Sequence, residues 1–160
     1  MVAYLKRMPV GFSGSISRAF DFTTEGVFLD SNNLPAGFGV ACKFAGEKLV
    51  PLAGSDTVDK IVGFLVRPYP ANTHEELAYL VGKDKHFTAD LLKRGYMTVK
   101  VADASTVTRN APVYIRTANP TADSPLGAVV ATATDSVKLT NAYFTGAGDE
   151  SGNVEIAYNI

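Results

Sequence analysis

The chain has 160 residues, with 15 Lys or Arg, 16 Asp or Glu and a net charge of −1 at pH 7. Hydrophobic residues make up 46% and charged residues 19%, enough apolar material for one core that needs no disulfide or metal, while the scattered basic residues form no face for nucleic acid. The single cysteine, Cys42, excludes an intrachain disulfide, and no apolar run approaches the roughly 20 residues of a membrane-spanning helix.

Residues 1–14 read as an extended N-terminal arm. Pro9 and Gly11 interrupt regular pairing and Gly14 marks a turn. The arm's MVAYLKRMPVGF has no apolar core long enough for a signal peptide, so synthesis in the cytoplasm is expected. Residues 15–160 read as a single β domain, because Gly and Pro punctuate short windows rich in Val, Ile, Phe and Tyr. Imperfect alternation over 15–22 puts Ile16, Arg18, Phe20 and Phe22 on one side of a strand, and a second strand follows at 26–29. Asp30-Ser31-Asn32-Asn33 is turn chemistry. The continuous apolar run 38–44 predicts a buried strand, with 47–52 as its partner across Ala45-Gly46. The stretch 58–68 is the most apolar and ends at Pro68 and Pro70.

Residues 71–86 are the best helix candidate. Asn72 or Thr73 would cap it, Leu77, Leu80 and Val81 have helical spacing, and Gly82 would stop it. Further strands are expected at 87–91, 95–102, 111–117, 126–132, 137–139, 142–145 and 153–158. In 95–102, Met97, Val99 and Val101 share one face, opposite Tyr96, Thr98 and Lys100. In 153–158, Val154, Ile156 and Tyr158 share a face, with Glu155 opposite. The fold class is mainly β: a jelly-roll-like sandwich or barrel of short antiparallel strands, with at most one short helix.

Reactive side chains do not assemble into a motif. Cys42 sits in the apolar window Gly39-Val40-Ala41-Cys42 and reads as a buried structural thiol, since a nucleophile needs an adjacent base and a polar setting. His74-Glu75-Glu76 lacks the second His that a zinc helix carries at i+4, where Ala78 stands. Gly146-Ala147-Gly148 precedes Asp149-Glu150 instead of a helix bearing Lys and Ser or Thr, so it is a turn and not a phosphate loop. Asp149-Glu150-Ser151-Gly152-Asn153 comes closest to a calcium loop, and an ordinary solvated turn is the better account. No catalytic residue, cofactor or metal is expected. The low charge suggests that another protein covers part of the surface.

Several stretches, in order, resemble the structural cement (head decoration) proteins of tailed bacteriophages. They are Pro9-Val10-Gly11-Phe12-Ser13-Gly14-Ser15-Ile16-Ser17-Arg18, Ile61-Val62-Gly63-Phe64-Leu65-Val66-Arg67-Pro68-Tyr69, Leu92-Lys93-Arg94-Gly95-Tyr96-Met97-Thr98-Val99-Lys100-Val101 and Ala111-Pro112-Val113-Tyr114-Ile115-Arg116. Leu126-Gly127-Ala128, Leu139-Thr140-Asn141-Ala142-Tyr143-Phe144 and Val154-Glu155-Ile156 complete the series. The resemblance implies a virion protein on the outer surface of an icosahedral head. It would oligomerise as a homotrimer or homodimer and bridge subunits of a major capsid protein with the HK97-like fold, with no catalytic residues. Capsid contacts are expected in the arm and in the loops, above all the variable stretch around residues 71–86, with Tyr4, Leu5 and Met8 as apolar anchors and Lys6 and Arg7 meeting capsid carboxylates. The competing reading is a carbohydrate- or receptor-binding β module, which the absence of Trp disfavours.

Overall fold

The computed structural model describes residues 10–68 and 87–160. The expected helix at 71–86 and arm residues 1–9 lie outside them. Within the described residues the chain forms nine strands: β1 (Thr23–Leu29), β2 (Ala41–Ala45), β3 (Lys48–Pro51), β4 (Gly63–Leu65), β5 (Phe87–Lys100), β6 (Pro112–Arg116), β7 (Val129–Val130), β8 (Ser136–Phe144) and β9 (Asn153–Tyr158). The helical pieces there are two single 3₁₀ turns, at Val58–Lys60 and Ala104–Thr106.

The pairings β1–β3, β3–β2, β2–β4, β4–β5 and β5–β1 close a ring of five strands. All are antiparallel except β1–β3, so the expected mainly antiparallel pairing holds with one parallel exception. The expected hairpin β2–β3 forms, with its turn at Gly46-Glu47, one residue beyond the expected Ala45-Gly46. Beyond Gly95, β5 pairs with β9, and β8, β6 and β7 follow in that order. A single backbone bond from the Ala41 N–H to the Gly127 carbonyl brings the β6–β7 end of this sheet back against β2.

Two cores result. Val27, Leu29, Phe38, Val40, Cys42, Leu49, Leu65 and Leu91 cluster in one, which belongs to the ring. The larger core gathers Ala41, Phe64 and Leu92 from the ring with Met97, Val113, Ile115, Leu139, Phe144, Val154 and Ile156 from the second sheet. Neighbours on one strand therefore serve opposite cores: Ala41 and Cys42, Phe64 and Leu65, Leu91 and Leu92, each fully buried. Strands buried on both faces need continuous apolar runs, which is why 38–44 and 61–66 do not alternate. Phe64 meets Tyr158 edge to face at 5.1 Å between ring centroids.

Three expectations change. The two strands expected at 87–91 and 95–102 are one 14-residue strand. Lys93, Arg94 and Gly95 look like a break, but they mark where β5 exchanges the partners β1 and β4 for β9. Likewise 137–139 and 142–145 are one strand, β8, whose register against β6 jumps between Pro112 and Val113. Residues 15–22 form no strand: Ile16 alone bridges to Met97, and β1 begins at Thr23.

Candidate functional site

Among the described residues no three His, Cys, Asp or Glu gather as a metal site. Cys42 is fully buried, and burial pushes its thiol up to about 12, the setting of an inert thiol. Two surface grooves, of about 150 and 370 Å³, contain neither His nor Cys among the described residues. The feature that stands out is the segment 10–22, called here the lead-in, which carries three of the exposed large hydrophobic side chains, Phe12, Phe20 and Phe22.

The lead-in is fastened along the edge of β5. The Gly14 N–H donates to the Thr98 carbonyl, the Thr98 N–H to Ser15, and the Ser17 N–H to Tyr96, at 2.8–3.0 Å. The Thr98 hydroxyl donates to the Val10 carbonyl at 3.0 Å. These contacts correct the solvent face expected for Tyr96 and Thr98: both are buried, because the lead-in covers them. The close approach depends on glycine. Gly14 and Gly39 lie backbone to backbone with φ of +85° and +76°, and a Cβ on Gly39 would stand 2.7 Å from the Gly14 nitrogen.

Two carboxylates pin the lead-in. Asp149 accepts the Val10 N–H at 3.1 Å and the N–H groups of Ser151 and Asn153 at 2.9 and 2.8 Å. Burial pushes the Asp149 carboxyl up, but these bonds outweigh it and hold it below its ordinary value. The turn read as a poor calcium loop is thus a docking turn for Val10. Glu155 accepts the Ser17 hydroxyl at 2.7 Å, Arg18 Nη2 at 2.9 Å and the Thr145 hydroxyl at 2.5 Å. Its carboxyl is likewise lowered, burial being outweighed by the bonds from Arg18, Thr145 and Ser17. The Arg18 guanidinium also lies over the Tyr96 ring, 3.7 Å from its centroid.

Between these attachments the lead-in swells into a wide bulge. Ser17 is bonded to Tyr96 and Thr23 pairs with Arg94, so residues 18–22 stand opposite Gly95 alone. Gly95 makes room: a Cβ there would lie 2.8 Å from the Phe22 Cβ and 2.9 Å from the Asp21 carbonyl oxygen. Arg94 holds Asp21 at 2.6 Å on one side of the bulge, and Arg18 holds Glu155 on the other. Phe20, at the turn of the bulge, is fully exposed at 103%.

The contact residues expected from the sequence, Tyr4, Leu5, Lys6, Arg7 and Met8, lie outside the described residues. Thr98, Asp149 and Glu155 were not predicted as anchors, because nothing local in the sequence ties them to residues more than 80 positions away. The bulge did leave a trace: Arg18 spoils the apolar side of the strand expected at 15–22.

The model of the family described as XM1 gp53 minor capsid protein matches residues 1–158. None of the curated proteins matches the chain. In a solved structure of the capsid of Myoviridae phage XM1, one chain is 19% identical and superposes with a TM-score of 0.69, covering 98% of this chain and 95% of that one. At that identity the likeness carries the fold.

Proposed function

The chain belongs to the XM1 gp53 minor capsid protein family, a structural component of a phage virion, and from that premise we propose that it is a cement protein of the head. It binds the outer surface of the icosahedral shell and bridges neighbouring subunits of the major capsid protein, with no catalytic step. A shell under pressure from packaged DNA gains strength from a protein that joins its subunits. Modest contacts suffice, because each one formed raises the effective concentration for the next.

One observation carries this reading: the lead-in is rooted in the sheet by Thr98, Asp149 and Glu155. An arm can join two bodies only if its root holds, and the residues before Val10 leave from such a root. Tyr4, Leu5 and Met8 supply apolar anchoring and Lys6 and Arg7 meet carboxylates on the shell.

Removing residues 2–9 tests the arm, since it spares every bond from Val10 onward. The shortened protein is expected to keep its circular dichroism and melting temperature while binding to heads assembled without this protein weakens about a hundredfold, the scale of a lost second attachment. Unchanged binding overturns the assignment of capsid contacts to the arm.

A further inference from the structure

We propose that Phe20 is a docking knob that seats in an apolar recess of the capsid surface, presented by the braced bulge at residues 18–22. This rests on the cement reading and adds the side chain and the chemistry of its counterpart.

The bulge is built, not slack. Five residues are looped out opposite one glycine, and both ends are tied down, Arg18 by Glu155 and the Tyr96 ring and Asp21 by Arg94. Gly95 has a φ of +136° and no side chain, so the Asp21–Phe22 backbone rests directly on β5. Bulges commonly re-aim a side chain. Here the re-aimed side chain is a phenylalanine with its whole surface in water, at a turn where small polar residues are the ordinary choice. An isolated exposed apolar residue is unremarkable, but a fully exposed aromatic on a rigid support has the character of an interface hot spot.

The charges around the knob specify the partner. Arg18 is matched by Glu155, Asp21 by Arg94 and Glu25 by Lys93, all within the chain. The side chains flanking Phe20 thus need no charged groups from a partner, and what they present is Phe20 with the half-exposed Phe22 beside it. An uncharged, apolar recess fits this surface. The occupant is the capsid shell, because the lead-in runs without interruption from Phe20 back to Val10, where the proposed arm contacts begin.

The test compares full-length wild type, Phe20→Ala and Phe20→Leu for binding to heads assembled without this protein. Failure of the wild type to bind removes the cement reading itself. If the wild type binds, Phe20→Ala is expected to weaken binding about tenfold or more with no change in melting temperature, and Phe20→Leu to recover part of the loss. Equal affinity of wild type and Phe20→Ala overturns the knob. So does a Phe20→Ala protein that loses self-association in sedimentation while its affinity for heads is unchanged, since the recess then lies on a second copy.

Discussion

Thr98 gives the lead-in three hydrogen bonds, through its amide N–H, its carbonyl and its hydroxyl. Thr98→Val keeps the shape and removes only the hydroxyl, leaving the Val10 carbonyl without that donor. The expected cost is about 1–2 kcal/mol, read as a lower denaturant midpoint with unchanged slope. The two pinning carboxylates contribute to the acid limit of the fold, as does Asp56, where burial is outweighed by Lys43 and the Ala53 N–H, which hold it down. Both have folded values below their ordinary 3.8 and 4.5, so the stability they contribute is complete above those values and is lost as pH falls through the lower folded ones. Unfolding free energy should therefore stay level from neutral pH down to about pH 5 and decline below it. Glu155→Gln should be less stable at pH 7 and show a shallower acid decline. None of these roles was legible residue by residue. A threonine on the polar side of a strand and a glutamate opposite an apolar face read as solvent contacts until a distant segment covers them.

At the level of elements, β5 organises the molecule. Its first half closes the ring with β1 and β4, and its second half carries β9 and the lead-in. Leu91 and Leu92, adjacent in sequence, point into different cores. Leu91→Ala and Leu92→Ala should each cost about 2–5 kcal/mol, because neither side chain is at a surface that can collapse into water. A loss at one position with no effect at the other in denaturant titrations would mean that one of the two cores is not packed. The strand β9 was legible to the residue at 153–158, since a half-buried strand alternates. β5 was read as two pieces because a glycine and two cations inside a strand mimic a turn. The reason for them, a change of partners, is non-local.

For the whole molecule, mainly β architecture was legible from Gly and Pro spacing and β-branched content, and the buried character of 38–44 from its continuous apolar run. The ring closure and the parallel β1–β3 pair were not, since nothing in either strand's own sequence names its neighbour. Because one strand passes through both cores, the ring and the second sheet should unfold together. A single calorimetric transition with equal calorimetric and van't Hoff enthalpies is expected, and two resolved transitions would show that the sheets are independent units. The antiparallel course of residues 14–17 and 23–29 beside β5 has a mechanical consequence. Hydrogen bonds of such a ladder lie across the strands. Tension transmitted from the arm along the strand axis loads the bonds around Thr98 in shear, so they must yield together, whereas a tug at right angles would peel them one by one. A chain pulled by this end would thus resist most strongly in the direction of the strand, and the bulge at 18–22, held through Arg18 and Asp21, would have to give before β1 is reached.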